Sequence, residues 1–468
     1  MISPLAADAV CALTVDGQAF TLPAYDIEHE QSFILAVPLI QLLNINTTVD
    51  PPAPVLRLLD RTPLLQRLTI DVSPGGDVES SRGVPDVLRR ATYVANPSTF
   101  YIGAGTLPAL RTLILRNAQV PLMGTLACTL RRLVLSGSSR FTRSLSLAQL
   151  LDTFKHFICL EHLEVRNYLV IPRQEDPQPL PVISFWSLKN FKSLVVQDDP
   201  RSVSKILSHL VVPIHVDVRA VANVAAELCP DQAGAILATM LPDHTWKLAA
   251  FPQSQIVALH DHPSHGCSLS AVANGRIVIL ELDTSPEGGS VPGRADGSLY
   301  KALIPSVAGI VPRDSVTSLV FSGPLAAVGM VSWVVAIEGF PNLHTIEVVN
   351  HTSWQEGSSV SGRTLLFALI TPSRFRAGQV ICPQLKSVTL KRFTFTPDFF
   401  VAVYNCFTQR IRLGAPRLES LVLELCSDPG GHWKSSEMEK YRPALNILAH
   451  DVILMYSQEG FSRTARLF

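Results

Sequence analysis

One spacing recurs along this chain and limits what it can become. Leu110, Leu113 and Leu115 stand as L-x-x-L-x-L, and so do Leu130, Leu133, Leu135 and Leu160, Leu163, Val165. A short strand that buries every second residue reads this way. Between the last two of these copies lies SLAQLLDTFKHF, with Leu147, Leu150, Leu151 and Phe154 at helical spacing. Strand, helical crossover and strand again is the unit of a leucine-rich repeat.

The triplet occurs nine times. The other copies are Leu65, Leu68, Ile70; Phe191, Leu194, Val196; Val316, Leu319, Phe321; Leu343, Ile346, Val348; Leu385, Val388, Leu390; and Leu418, Leu421, Leu423. Five of the nine open with P-x-L, at Pro63, Pro108, Pro341, Pro383 and Pro416. One match in a leucine-rich chain is chance, but nine are a pattern. One strand and one helix cannot hide their apolar faces alone, so such units must stack. From Leu113 on, successive copies lie 20, 30 and 31 residues apart in the first block, and 27, 42 and 33 in the second. Those lengths admit helical crossovers and inserted loops.

These readings predict an α/β leucine-rich-repeat solenoid, a curved parallel sheet with outer helices and irregular repeats, interrupted in the middle. Residues 1–62 form an N-terminal cap, with a hairpin turning at Asp16-Gly17 and a first degenerate strand in ILAVPLIQLLNI. Residues 63–229 and 311–434 are the two repeat blocks. In the first, IHVDV (214–218) is expected as a strand with AVANVAAELC as a helix behind it. Residues 230–310 are an irregular insertion, with a hairpin at Asn274-Gly275 and a loop at 284–298. Residues 435–468 form a C-terminal cap in which PALNILAHDVILMY is a helix. Short helices at PAPVLRLLDRTP and VPDVLRRA, and loops at 73–83 and 173–181, complete the layout.

Apolar residues make up 47% of the chain and charged residues 17%, enough for a large core. Net charge is +0, so nothing draws the whole chain to nucleic acid or an anionic membrane. The eight cysteines are scattered without a C-x-x-C pair. That usage, with no signal-peptide pattern at the N-terminus, points to a reduced compartment, cytoplasmic or nuclear.

The phrases LPALRTLIL, CLEHLEV, FPNLHTIEV, CPQLKSVTL and APRLESLVLEL resemble the repeat region of fungal F-box/leucine-rich-repeat proteins. The F-box itself is not recognisable. The nearest text to its L-P-x-E-[IL]-[LI] opening is Leu22-Pro23-Ala24-Tyr25-Asp26-Ile27. The resemblance implies a substrate receptor of a ubiquitin ligase, binding a protein or peptide on its repeats and a cullin-ligase adaptor if an F-box is supplied upstream. A second expectation is a degenerate, F-box-less paralogue with no retained partner.

Residues between the apolar teeth face the concave side of such a sheet. The candidate binding residues are therefore Arg67, Thr112, Arg116, Arg132, His162, Glu164, Arg166, Gln197, Thr345, Glu347, Lys391 and Glu424. Arg116, Arg132 and Arg166, on consecutive copies, suggest a basic strip suited to an acidic or phosphorylated peptide. No catalytic motif is present: there is no G-x-x-x-x-G-K-[ST] and no H-E-x-x-H, and GSSVS at 357–361 breaks the G-x-S-x-G pattern. No cofactor is expected. In LHDHPSHGC, His260, Asp261, His262, His265 and Cys267 carry metal-ligand chemistry without a zinc-site spacing. The text reads as a polar loop, and a metal-dependent enzyme centred on 230–310 is the weakest alternative.

Overall fold

The structure, a computed structural model, describes residues 10–15, 18–23, 39–47, 59, 61–72, 107–118, 129–137, 145–170, 180–224, 229–262, 266–284, 297–325, 328–351, 358–374, 378–394, 396–426 and 435–457. It is a mixed α/β structure with a large, open and mostly parallel sheet. Two compact units divide the chain: residues 1–198 with 205–217, and 199–204 with 218–468. Each is taken by itself.

In the first unit every triplet is a strand. The strands are β1 (Val10–Val15), β2 (Gln18–Pro23), β3 (Leu42–Thr47), β4 (Arg67–Val72), β5 (Thr112–Arg116), β6 (Arg132–Ser136), β7 (His162–Arg166) and β8 (Ser193–Asp198). Their order is β2-β1-β3-β4-β5-β6-β7-β8. The β1–β2 hairpin and the β1–β3 pair are antiparallel; every pair from β3 to β8 is parallel. The expected hairpin and the degenerate first strand are both there, although Asp16 and Gly17 lie outside the described residues.

The register is set by the teeth. Leu43, Leu68, Leu113, Leu133, Leu163 and Leu194 stand side by side, each at most 1% exposed. A slip of one residue would turn a whole row to water, which fixes the pairing. Each buried leucine side chain contributes about 1.5–3 kcal/mol. Helix α1 (Leu147–Phe154) buries the four apolar residues expected of it, and Ser146 and Gln149 close its N-terminus as a capping box.

The second unit holds β9 (Asp217–Asn223, in this unit from Val218), β10 (Ile256–His262), β11 (Gly266–Ala273), β12 (Arg276–Asp283), β13 (Ser318–Gly323), β14 (Thr345–Asn350), β15 (Ser387–Thr394), β16 (Leu418–Cys426) and β17 (Ala449–Ser457). The order is β9-β12-β11-β10-β13-β14-β15-β16-β17. Only the two pairs that involve β11 are antiparallel. Asn274 and Gly275 turn the β11–β12 hairpin with φ of 51° and 74°, as a tight I′ turn demands. Helices α2 (Ala233–Met240), α3 (Ser298–Leu303), α4 (Met330–Glu338), α5 (Ser358–Leu369) and α6 (Pro397–Arg412) supply crossovers. Trp333 of α4 meets Phe321 of β13 edge-on at 5.1 Å, and Phe399 of α6 stacks on Phe393 of β15 at 5.6 Å. Arg410 of α6 is 2% exposed and donates to the carbonyls of Leu369, Ile381 and Cys382. One guanidinium thus ties α6 to the end of α5 and the loop before β15.

Three expectations fail here. AVAN is the end of strand β9, not the start of a helix, and the strand expected at 214–218 begins at Asp217. Small residues with one valine carry no period, so pairing with β12 decides. LHDH is part of strand β10, not a loop. The tail helix is replaced by a short helix, Arg442–Leu445, and the nine-residue strand β17. Ala449, Val452 and Leu454 pair with Leu418, Leu421 and Leu423, so β17 is a tenth triplet whose first tooth is alanine. An apolar run such as VILMY does not reveal its period.

Candidate functional site

Alternation sends the residues between the teeth to one face of each sheet, opposite the buried rows. All the candidate binding residues stand on these open faces. In the first unit Arg67, Thr112, Arg132 and His162 occupy one cross-strand row, and Asp71, Arg116, Ser136, Arg166 and Gln197 another. Glu164 lies in the row between them, beside Val134. The expected basic strip is therefore split. Arg116 and Arg166 share a row two strands apart, about 9.6 Å by sheet spacing. Arg132 stands four residues earlier, about 13 Å along the strand direction.

The arginines are also partly neutralised. Arg116 lies 3.4 Å from Asp71, and Arg166 lies 2.8 Å from Glu164. Among the described residues no ion pair engages Arg132. His162 Nδ1 is 2.8 Å from Ser193 Oγ. Burial, then the charges of Arg132 and Lys192, push the His162 imidazole below its usual range, so its ring is held neutral. The middle row runs through Asn44, Thr69, Ile114, Val134, Glu164 and Val195; Thr69, Ile114 and Val134 at its centre are 8%, 6% and 6% exposed, and the other three are half-buried. The centre of this face is apolar, and Glu164 and the arginine rows put charge around it.

In the second unit Thr345 sits at the amino end of β14, and Glu347 follows in the next row. Glu347 Oε1 accepts from Lys391 Nζ at 2.7 Å. Glu424 is opposite Lys391 in the β15–β16 register. Here the flanking positions are Ser318, Ser387 and Ser420, and the face is more open and more polar than in the first unit.

Reading by copies missed three histidines on this face. His260 and His262 follow Ala258 on β10 at alternate positions, with ring centroids 6.4 Å apart. His351 comes directly after β14. Alternation in IVALHDH was the available signal: Val257 and Leu259 face in, so His260 and His262 face out. His351 belongs to no triplet and left no signal. Arg219 of β9 and Glu281 of β12, 2.7 Å apart, form another ion pair on this unit that the sequence did not announce.

The same alternation dismantles the metal set. Asp261 and Cys267 face the interior, where Cys267 Sγ lies 3.5 Å from Asp261 Oδ1. His260 and His262 leave the opposite side of the strand, and His265 lies outside the described residues. Burial first, and then Asp261, push the Cys267 thiol up, which keeps it protonated. Among the described residues no group of three or more His, Cys, Asp or Glu side chains is placed to hold a metal ion.

On the helical side of the second unit, a groove of about 340 Å³ runs between α5 and α6. Leu366, Phe367, Ile370 and Val401 line it, together with Arg363 and Asp398, which pair at 3.0 Å. No described helix is long and apolar enough to cross a membrane. Compared with known proteins, the chain matches no family model and no curated sequence.

Proposed function

We propose that this chain is a leucine-rich-repeat scaffold that recognises a protein or an extended peptide on the open faces of its sheets, without catalysis. The observation that carries the reading is the cross-strand register. Teeth align in rows through β3–β8 and again through β13–β17. The residues between them then form ordered rows of side chains at a spacing of about 4.8 Å, a rigid surface on which a partner's groups can be read. Similarity of its repeat phrases to F-box relatives supports a place in a ubiquitin ligase, with a cullin-ligase adaptor as second partner if an F-box is supplied upstream.

The test is selection of peptides from a displayed random library on the purified full-length chain. Selected peptides should lose about tenfold or more in affinity, roughly 1.4 kcal/mol, on Arg132→Glu or Glu347→Lys. They should be indifferent to Lys155→Glu, behind the sheet at the end of α1. The opposite pattern would move recognition to the helices and sink the reading. Co-purification of the adaptor with the full-length chain decides the ligase assignment; without it a scaffold of another pathway remains.

A further inference from the structure

The amino ends of the strands in the first unit carry a row that the triplets do not mark. Here the hydrogen-bond ladder runs one residue past each strand's start. The backbone N–H groups of Arg111 and Thr112 both donate to the Gln66 carbonyl, and those of Arg131 and Arg132 to the Arg111 carbonyl. Glu161 and His162 repeat the pattern on the Arg131 carbonyl, and Lys192 and Ser193 on that of Glu161. Gln66, Arg111, Arg131, Glu161 and Lys192 therefore stand in one rim row, about 4.8 Å apart. Beside it runs the row of Arg67, Thr112, Arg132, His162 and Ser193. Arg67, Arg111, Arg131, Arg132 and Lys192 are all exposed. Only Arg132 belongs also to the strip that the sequence suggested.

The carboxylates nearby do not match these cations. Glu161 is shared: it accepts from Arg131 at 3.1 Å and from Lys192 at 2.6 Å. On the open face Asp71 is held by Arg116 and Glu164 by Arg166, in the rows nearer the carboxyl ends. Asp217 follows Lys192 in the ladder, three strand steps from Arg131, about 14 Å away. The described turns that lead into the strands, at 61–66, 107–111, 129–131, 157–161 and 188–192, add Arg61 and Lys189 and no carboxylate beyond Glu161. Among the described residues no ion pair engages Arg67, Arg111 or Arg132. Arg111 and Arg131 are neighbours in one row, where like charges repel. Positive charge set out in this way, on a chain of net charge +0, is relieved by an anionic partner.

The surroundings choose the partner's class. Ile114 and Val134 lie one row further along the strands, about 7 Å away, where an aliphatic side chain can settle. The three rows of the open face hold no Phe, Tyr or Trp on which a base could stack. Guanidinium forks match carboxylates through two parallel hydrogen bonds.

We propose that the rim of β4–β8 seats a carboxylate-rich, extended segment of a partner protein, with its acidic side chains on Arg67, Arg111 and Arg132 and an aliphatic one on Ile114 and Val134. This rests on the recognition reading and gives the partner its chemistry. The rim is about 19 Å long from β4 to β8, which about six extended residues cover.

The probe is a labelled, capped decapeptide with four glutamates and one leucine, titrated into the full-length chain by fluorescence anisotropy. It should bind, and its affinity should fall severalfold between about 50 and 200 mM salt. Arg111→Gln and Arg132→Gln change exposed side chains, so the melting temperature should hold while each weakens binding about fivefold. Arg116→Gln, whose arginine already has Asp71, should change it less than about twofold. No binding of the peptide, equal binding of its glutamine counterpart, or an equal loss with Arg116→Gln would overturn the proposal. So would tighter binding of a five-thymidine strand of the same charge, which would turn the rim toward nucleic acid. A glutamate peptide that fails while library peptides still answer to Arg132→Glu or Glu347→Lys overturns this proposal alone. Library peptides indifferent to both substitutions sink the recognition reading instead.

Discussion

In the first unit Thr69, Ile114 and Val134 stand side by side on the open face and are nearly buried. In the second, the corresponding row runs through Val320, Glu347, Thr389 and Val422 to Ile453, half-buried and then 41% exposed at the edge. The strands are built alike; the neighbours differ. Rows carrying Arg67, Arg132, Arg116 and Arg166 flank the first centre. Serines and threonine flank the second at the amino ends, and histidines and Lys391 at the carboxyl ends. A shared interior therefore leaves surface chemistry free to diverge, because core and face residues alternate and are chosen independently.

The largest effect should separate the units by what locks them. Arg410→Met leaves the carbonyls of Leu369, Ile381 and Cys382 without their buried donor. A loss of about 3–5 kcal/mol is expected, read by urea denaturation and by faster hydrogen exchange in Ser387–Thr394. A cost below about 1 kcal/mol would show that water replaces the guanidinium there.

Next come the teeth, where the units should behave alike. Leu133→Ala and Leu390→Ala remove equally buried leucines, and each should cost about 2–5 kcal/mol in the same assay. Very unequal values would mean that one row repacks and the other does not.

Acid should then distinguish them. The folded state holds His351 at about 4, below its usual 6.5, so it is neutral there while the unfolded chain takes a proton. Its contribution to stability is complete above about pH 6.5 and is lost as pH falls towards 4. His351→Gln should flatten the acid limb of the stability–pH curve; an unchanged limb would place the acid sensitivity elsewhere. The smallest effect belongs to the exposed Asp71–Arg116 pair: Arg116→Ala should change stability by less than about 1 kcal/mol, at any salt concentration.

Legibility followed local period. The strands with leucine teeth, the four buried residues of α1 and the Asn274-Gly275 hairpin were plain, because each is written in neighbouring residues. Strand β17 was hidden by Ala449 in a leucine's place, and β9 by small residues that suit either state. The placement of the candidate residues was legible too: alternation put all of them on the open faces. The basic strip was misread because Arg132 precedes its second tooth while Arg116 and Arg166 follow their third, so counting copies merged two rows. His351 and the slip of the β15 ladder at Arg392 had no local mark at all.

By itself, then, the sequence determined where the strands with leucine teeth form and which of their residues are dry, since both follow from an apolar spacing of two to three residues. Tertiary structure alone decided that the middle and tail strands join the sheet, that Asp261 and Cys267 part company with His260 and His262, and that His351 meets Ser322. Those outcomes depend on register between segments tens of residues apart, where pairing energy is shared across strands and no short stretch carries it.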